Sequence, residues 1–277
     1  MSEQFMRFPN GLKKALTLSY DDAVEEDIQL IELLNKNNIK ATFNISSGIL
    51  PEDEIVFEKG AFYRPNCKKN LKEIYDGWHE VAIHGYNHPF YTNIPQDMVA
   101  YEVIEDRKYL ENKFGRIIRG SAYPYGVYND EIIEVLKRCG IVYARTIQST
   151  HSFDVPNNWL TLNPTCHHDD EMLFELEDKF INETPERNPW LFYLWGHTFE
   201  FEKNDNWDRI EKFVEKIANK DDIWYATNIE IYEYVEAYNK LLFSVEGKYA
   251  RNDSNIDVWK YINGNTIKIP AGQTISL

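Results

Sequence analysis

Hydrophobic residues recur along the chain with two alternating periods. Short apolar runs, typical of buried parallel strands, alternate with longer segments whose apolar residues return every three or four positions, as in amphipathic helices. The runs that predict strands are ALTLSY, IKATFNI, EVAIHG, IIRGSAYP, IVYARTI, WLTLNPT, WLFYLWG and IWYAT. The segments that predict helices are EEDIQLIELLNK, NLKEIYDGW, PQDMVAYEVIEDRKYLENKFG, NDEIIEVLKRCG, DDEMLFELEDKF, NWDRIEKFVEKIANK and NIEIYEYVEAYNKL. This alternation is the pattern of a parallel sheet, and it predicts a (β/α) barrel of seven or eight strands.

Two parts of the chain depart from this pattern. Residues 46–70 contain Pro51, Gly60 and Pro65, which predicts a long loop or hairpin inserted after the second strand. From Leu241 onwards, short β-type runs are separated by turn signals with no helix between them. We therefore predict a barrel over residues 1–240 and a small β-rich extension over residues 241–277.

Composition disfavours several classes of partner and predicts a location. The 277 residues carry a net charge of −15, which disfavours binding to nucleic acid or to an anionic membrane surface. No apolar run reaches the roughly 18 residues that a membrane span needs. The first residues, MSEQFMRFPNGLKKA, lack the apolar segment of a signal peptide, so we expect a cytoplasmic protein. The three cysteines are far apart, which predicts free thiols and no cysteine-type zinc site.

Polar side chains stand at the carboxyl ends of predicted strands, which is the edge where barrel active sites lie. Asp21 and Asp22 end the first strand, His84 and His88 follow the third, and His197 ends the seventh. Two imidazoles and one carboxylate form a three-ligand set of the kind that binds catalytic zinc and leaves a position for water. The sequence therefore predicts a metal site at this edge.

Each of these residues also has a structural interpretation. Asp22 could cap the helix that follows it, since a helix cap needs only one carboxylate. An HxxxH pair alone is more often chance or a hydrogen-bonded pair than a ligand pair. His197 could be a buried histidine bonded to a backbone carbonyl. The HxxxH pair and the Asp-Asp doublet, each at a strand end, together favour the metal site.

Four motifs resemble those of the polysaccharide deacetylases of carbohydrate esterase family four, which remove N- or O-acetyl groups from glycans. SYDDA is similar to that family's first motif, HGYNH to its second, RGSAYPYG to its third and LFYLWGH to its fifth. The resemblance spans roughly residues 15–200, in the family's order. It implies a distorted (β/α) barrel, in agreement with the strand pattern, and a hydrolase acting on non-peptide carbon–nitrogen bonds of an N-acetylated carbohydrate.

The resemblance also implies roles for the strand-end residues. Asp22, His84 and His88 match the family's metal ligands, and the implied cofactor is Zn²⁺ or another divalent transition metal. Asp21 matches the catalytic base. A cation between the two adjacent carboxylates would offset their repulsion, which resolves the cost of placing them side by side.

By the same resemblance, the backbone N–H of Tyr125 stabilises the oxyanion and His197 protonates the leaving amine. Arg119 is the candidate for the arginine that holds the base, although it stands five residues before Pro124, further than in the family. Gly85 replaces the family's Ser or Thr after the first histidine, which predicts weaker metal binding because a supporting hydroxyl is missing. The group that tunes His197 is not identified by the sequence.

Other interpretations remain open at this stage. The segment PTCHHDD offers a second metal site, a groove-lining histidine, or a helix-capping Asp169 or Asp170. The same barrel could instead hydrolyse a small amide, or bind glycans without catalysis. The non-catalytic alternative requires Asp21 or His197 to point away from the metal site.

Overall fold

A parallel sheet of eight strands forms the centre of the protein, whose computed structural model describes residues 4–277. The first strand, β1 (Gln4–Arg7), lies outside this sheet. The central strands are β2 (Lys14–Asp21), β3 (Thr42–Ile45), β4 (Glu80–Ile83), β5 (Gly120–Ala122), β6 (Tyr143–Arg145), β7 (Cys166–His167), β8 (Trp190–Gly196) and β9 (Ile223–Tyr225). Their order is β6-β5-β4-β3-β2-β8-β7, and β9 pairs with the first half of β2.

The segment before β7 joins the two ends of this strand order. Leu162 forms a parallel bridge with Arg145 at the end of β6. Thr165 donates its N–H to the carbonyl oxygen of Tyr193 in β8 at 2.8 Å. One stretch of chain therefore contacts both β6 and β8, and the sheet closes into the distorted (β/α) barrel that the pattern predicted.

Eight helices accompany the strands, and all but one lie in segments that the helical period predicted. They are α1 (Asp27–Lys36), α2 (Leu71–Tyr75), α3 (Gln96–Phe114), α4 (Asp130–Arg138), α5 (Leu173–Asn182), α6 (Phe199–Lys203), α7 (Trp207–Ile217) and α8 (Asn228–Asn239). The unpredicted helix is α6, a short turn that directly follows β8. Gly115 ends α3 with a φ of 68°, a conformation that favours glycine. Within residues 4–277, no helix is both long enough and apolar enough to cross a membrane.

Residues of β2 alternate between the helical layer and the barrel interior, as the period of a strand requires. Leu16 and Leu18 pack into the main hydrophobic core. Ser19 and Asp21 both accept a hydrogen bond from the side-chain amide of Asn44 in β3, at 2.8 Å each. The period of two thus places Asp21 inside the barrel at the carboxyl end of the strand.

The sixth strand was predicted at WLTLNPT, and this position is wrong. Residues Trp159–Thr161 form a 3₁₀ turn, and the side chain of Asn158 accepts the N–H of Leu160 at 3.1 Å. Pro164 has no N–H to donate to a ladder. The strand β7 therefore forms only after this segment. Residues 46–70 form a long loop and no hairpin within the described chain, tied by a bridge between Pro65 and Val24.

The end of the chain is β-structure, as predicted. It contains β10 (Leu242–Phe243), β11 (Tyr249–Arg251), β12 (Val258–Ile262), β13 (Asn265–Ile269) and β14 (Thr274–Ser276). These strands form two small sheets, with orders β10-β11-β14 and β1-β12-β13. Because β1 pairs with β12, one sheet joins both ends of the described chain, which the sequence pattern did not predict. The domain boundary between residues 240 and 241 stays a prediction.

Candidate metal centre and active site

The three predicted metal ligands converge at the carboxyl ends of β2 and β4. Nε2 of His84 and Nε2 of His88 lie 3.2 Å apart, and each lies 3.8 Å from Oδ1 of Asp22. Two atoms that bind one zinc ion at about 2.1 Å lie at most about 4.2 Å apart, so all three atoms fit one ion. Burial and the neighbouring His84 lower the pKa of His88 to about 4, which leaves its ring neutral and able to ligate. The residues therefore fit a divalent transition metal.

Backbone and carboxylate contacts set the orientation of His84. Its Nδ1 lies 2.9 Å from the carbonyl oxygen of Ala122, so an N–H there leaves Nε2 to face Asp22. The backbone N–H of His84 donates to Asp106 at 3.1 Å, and Asp106 also accepts two hydrogen bonds from Ser47. Sequence reasoning missed Asp106, although it is a carboxylate at a core position of the α3 period.

The two adjacent carboxylates reach the same site because the backbone turns between them. Asp22 has a φ of 81°, a left-handed conformation that residues other than glycine seldom adopt. Both carboxylates therefore approach Nε2 of His84, Asp21 at 3.7 Å and Asp22 at 3.8 Å. Helix α1 begins at Asp27 without a side-chain cap, so the alternative that Asp22 caps this helix is wrong.

A buried arginine and an amide hold Asp21. Arg145 donates through Nη2 to Oδ2 of Asp21, and Asn44 donates to Oδ1 at 2.8 Å. Burial by itself raises the pKa of Asp21, but the Arg145 guanidinium and the ring of His84 outweigh it and hold the pKa below its usual value. The guanidinium also lies 4.3 Å from the centre of the Trp195 ring. Asp21 is therefore an ionised carboxylate that faces the metal ligands.

Arg119 lies elsewhere, and its assignment to the site is wrong. Its guanidinium is 3.9 Å from Glu233 and 5.9 Å from the centre of the Tyr232 ring, both in α8, and its side chain is 40% exposed. Arg119 precedes β5 and so stands at the amino end of that strand, whereas the site lies at the carboxyl ends. Arg145, the last residue of β6, is the arginine that contacts Asp21.

His197 follows β8, and its two ring nitrogens face two different carboxylates. Nε2 lies 3.9 Å from Oδ2 of Asp21, and Nδ1 lies 3.3 Å from Oε2 of Glu200. Burial by itself lowers the pKa of His197, but Glu200, Asp21 and Asp22 outweigh it and raise the pKa to about 9. Glu200, which sequence reasoning missed, is therefore the carboxylate that keeps His197 protonated. The only available signal was its position three residues after His197, in the first turn of α6.

Two further imidazoles hold Glu200. Its Oε2 lies 3.2 Å from Nε2 of His167 and 3.3 Å from Nε2 of His168, and it accepts the backbone N–H of His197 at 3.2 Å. Burial opposes ionisation, but these imidazoles keep the pKa of Glu200 well below its usual value. His168 is fully buried against Gly196, where a Cβ would lie 2.0 Å from Nδ1 of His168. His168 therefore supports Glu200 from behind and does not line a groove.

The remaining alternatives for PTCHHDD receive different degrees of support. Oδ1 of Asp170 accepts the N–H of Met172 at 2.9 Å just before α5, but α5 begins at Leu173 without a side-chain cap, so the alternative that Asp169 or Asp170 caps this helix is wrong. His167, His168 and Asp169 have ligand atoms within 4.8 Å of one another, and a second metal there stays an untested alternative.

Tyr125 stands beside the site in a strained turn, and the role of its N–H stays a prediction. It lies in a 3₁₀ turn after β5 with a φ of 58°, and its N–H has no protein acceptor within residues 4–277. Its ring meets the edge of the His88 ring, with centroids 4.5 Å apart. Gly85, the departure from the family motif, has a φ of 77°, and a Cβ there would lie 2.9 Å from the hydroxyl of Tyr91. Ser or Thr does not fit this backbone, and the effect on metal affinity stays a prediction.

Residues 9–144 match the sequence profile of the polysaccharide deacetylase family. This part of the chain is similar to the polysaccharide deacetylases. The matched deacetylase segment contains the three metal-ligand candidates and Tyr125, whereas His197 and Glu200 lie beyond it.

The chain is also similar to several known proteins. The poly-β-1,6-N-acetyl-D-glucosamine N-deacetylases of Staphylococcus aureus (strain MSSA476) and Staphylococcus epidermidis are 29% and 28% identical to it over 154 and 155 residues. Each match covers 51% of this chain and 50% of the relative, so the chain spans about half the length of the curated relatives it matches.

Solved structures share the fold at low identity. The peptidoglycan deacetylase PdaC from Bacillus subtilis, in a mutant form, is 16% identical with a TM-score of 0.52, over 84% of this chain and 95% of that one. A mutant of a CE4 family pseudoenzyme with restored enzymatic activity is 18% identical with a TM-score of 0.50, over 82% of this chain and 70% of that one. Identities this low establish the barrel fold alone.

Proposed function

We propose that the protein is a metal-dependent deacetylase that hydrolyses N-acetyl or O-acetyl groups of a glycan. The observation that carries this proposal is the position of Asp21, whose Oδ2 lies 3.7 Å from Nε2 of His84 and 3.9 Å from Nε2 of His197. A carboxylate base thus stands between a metal-ligand set and a protonated imidazole. Hydrolysis of an acetamide needs an activated water, a base for the water's proton and an acid for the leaving amine.

The chain's own residues divide this work. Asp21 takes the proton of the attacking water, and its pKa below the usual value keeps it ionised at neutral pH. The N–H of Tyr125 donates to the oxyanion that forms at the acetyl carbon. His197 donates its proton to the leaving nitrogen. Before this transfer, the negative charge of Glu200 stabilises the protonated ring of His197.

Asp22, His84 and His88 would hold the metal. When bound, Zn²⁺ supplies a water of lowered pKa and polarises the acetyl carbonyl. Imidazole and carboxylate ligands also suit other divalent transition metals, so zinc is the first candidate and the site does not require it.

The substrate class rests on the relatives. The staphylococcal relatives are N-deacetylases of a poly-N-acetylglucosamine, which supports an N-acetylated amino sugar as the substrate of this chain. A non-catalytic barrel would leave Asp21 or His197 facing away from the ligand set. The distances of Asp21 from His84 and from His197 support catalysis instead.

The test combines metal content with acetate release. The purified chain, Asp22→Asn and the exposed control Asp53→Asn are stripped, reloaded with zinc and measured by elemental analysis. Acetate release is then assayed from N-acetylglucosamine oligomers and from small amides. We expect about one zinc per chain in the parent and the control, with loss of both metal and acetate release in Asp22→Asn. Absence of zinc from the parent would contradict the site, and zinc without acetate release from any oligomer would contradict the function.

A further inference from the structure

Three imidazoles surround one oxygen of Glu200, at the Nδ1 side of the His197 ring. The distances from Oε2 of Glu200 are 3.2 Å to Nε2 of His167, 3.3 Å to Nε2 of His168 and 3.3 Å to Nδ1 of His197. The other nitrogen of His197, Nε2, lies 3.9 Å from Asp21. Three nitrogen atoms that can ligate a metal therefore lie at nearly the same distance from one carboxylate oxygen, apart from the candidate metal centre.

These contacts have the separations of metal ligands and lack the direction of hydrogen bonds. Two atoms bound to one tetrahedral zinc ion at about 2.0–2.1 Å lie about 3.3–3.4 Å apart. A hydrogen bond needs an N–H that points at its acceptor. Nδ1 of His197 and Nε2 of His168 are buried without a hydrogen-bond partner in residues 4–277, although each lies 3.3 Å from Oε2 of Glu200. These nitrogens therefore point beside the oxygen, as ligands around a common ion do.

Within this cluster, His167, His197 and Glu200 form the best ligand set. Each offers a ligand atom within 4.8 Å of the other two. Their side chains are 22–23% exposed, so an ion can enter from solvent. Nε2 of the fully buried His168 is the candidate for a fourth ligand.

The neighbouring alternative, with Asp169 as the carboxylate ligand, has weaker support. Asn204 donates to Oδ2 of Asp169 at 3.0 Å, and Asn206 donates to Oδ1 at 3.1 Å. Both oxygens of Asp169 therefore already accept a hydrogen bond from an amide. Glu200 is the better carboxylate ligand because its Oε2 faces the imidazoles.

We propose that His167, His197 and Glu200 bind a second divalent transition metal, and that this metal inhibits acetate release when it is in excess. The inhibition rests on the proposed function, in which His197 donates a proton. A metal on Nδ1 takes the place of the proton there. The ring then becomes a metal-bound neutral imidazole, and its remaining N–H, on Nε2, is a far weaker acid than an imidazolium. Imidazole and carboxylate ligands suit zinc, which is the probe used below.

Protons make this second site weaker than the candidate metal centre. Binding releases the Nδ1 proton of His197 to solvent, because metal ligands must be deprotonated. Nδ1 of His167 accepts the N–H of Asp169 at 3.1 Å, so the neutral ring carries its proton on Nε2. That proton must move to Nδ1, with loss of this hydrogen bond, before Nε2 can ligate. The second site therefore fills only in excess zinc and is empty again once the excess is removed.

The first test measures zinc binding without reference to activity. The metal-stripped chain is dialysed against zinc sulfate at free concentrations from nanomolar to millimolar, and bound zinc is counted by elemental analysis. The variants are His167→Gln and Glu200→Gln. The matched control is His151→Gln, which changes an exposed histidine that is paired with Asp170. Denaturant unfolding checks that each variant is folded.

We expect the parent and His151→Gln to bind two zinc ions, one tightly and one weakly. Loss of a supporting partner commonly costs about 10- to 100-fold in metal affinity, so loss of a ligand should weaken the second zinc at least about 100-fold. His167→Gln and Glu200→Gln should therefore bind only the tight zinc, and Asp22→Asn only the weak one.

The second test measures acetate release from N-acetylglucosamine oligomers as free zinc rises. In the parent, the rate should fall about 100-fold or more as the second zinc binds, which is the usual worth of a general acid. In His167→Gln, the same zinc concentrations should cause no further loss relative to that variant's own rate.

Several results would overturn the proposal. A parent that binds only one zinc at millimolar free zinc has no second site. A second zinc that both His167→Gln and Glu200→Gln retain lies elsewhere, and an equal loss in His151→Gln would assign it to exposed histidines. A second zinc that binds without slowing acetate release would contradict the inhibition. If the parent releases no acetate at any zinc concentration, the proposed function fails separately, and dialysis alone decides the second site.

Discussion

Arg145 and Asp21 form an ion pair across the interior of the barrel. Arg145 ends β6 and Asp21 ends β2, and three strands lie between them in the sheet. Both side chains are almost fully buried, so each compensates the charge of the other. Removal of one partner from such a buried pair leaves an uncompensated charge, which is costly. The pair therefore sets both the ionisation and the position of the proposed base.

Arg145→Met should reduce kcat/KM for acetate release by about 10- to 100-fold, the usual effect of removing a group that orients a metal-site residue. Loss of the guanidinium also raises the pKa of Asp21, so activity should fall at a higher pH on the acid side than in the parent. Arg119→Met is the matched control, since the Arg119 guanidinium lies beside Glu233 and Tyr232 of α8 and away from Asp21. Initial rates across the pH range measure both. Equal losses in the two variants would contradict the assignment of Arg145.

Glu200→Gln should shift the alkaline limb of the pH profile to lower pH. His197 must be protonated to act as the acid, so activity is present below its pKa and is lost as the pH rises through it. Glu200 helps to raise this pKa to about 9, and a neutral amide removes that contribution. Glu202→Gln, on the same helix but paired with Arg64, is the control. An alkaline limb that does not move in Glu200→Gln would contradict the role of Glu200.

Gly196→Ala should destabilise the fold by about 1–3 kcal/mol, because its Cβ would overlap the buried His168 ring. His168→Ala creates room for that methyl group. The double variant should therefore lose less stability than the sum of the single variants, which denaturant unfolding measures as a coupling free energy. Additive losses would show that the ring of His168 is not what restricts residue 196.

Asp27→Asn should remove a pH dependence of stability. Asp27 is fully buried and accepts hydrogen bonds from Thr198 at 2.6 Å and Tyr75 at 2.5 Å. Burial raises its pKa from 3.8 to about 7, so the folded state binds the proton more tightly than the unfolded state. The stability contribution is full below pH 3.8 and is lost as the pH rises towards 7, by about 4 kcal/mol at most.

The measurement for this prediction is the free energy of unfolding of the metal-free protein between pH 4 and pH 8. Asn mimics the protonated acid, so the variant should gain stability relative to the parent as the pH rises. The exposed Asp53→Asn provides the control. A parallel pH dependence in Asp27→Asn and the parent would assign the effect to other groups.

The candidate metal-ligand set could be predicted from the sequence because it depends on local pattern. Asp22 directly follows a run that alternates as a strand, and His84 and His88 follow another. In a parallel barrel the carboxyl ends of strands meet, so strand prediction alone brings these residues together. The turn at Asp22 was not accessible, since strand alternation by itself points adjacent carboxylates in opposite directions.

Arg145 and Glu200 were missed for a different reason. Arg145 lies inside an apolar strand pattern, and nothing local indicates that it faces Asp21 across the barrel. Glu200 lies in a short helix that the periodicity did not predict, and its meaning depends on His167 and His168, about thirty residues earlier. Arg119 was misassigned for a related reason. It is close to Pro124 in the sequence, but it stands at the amino end of β5, whereas the site lies at the carboxyl ends of the strands.

The sequence by itself determined the alternation of strands and helices, the barrel they form and the three residues that are the candidates to hold a metal. These follow from the period of hydrophobic residues and from the position of polar residues at strand ends. Only the tertiary structure decided which charges meet. Closure of the barrel brings Arg145 to Asp21 and Glu200 to His197, and inside a low-dielectric interior such pairs set which groups are ionised. Local pattern carries no information about contacts between strands on opposite sides of a barrel.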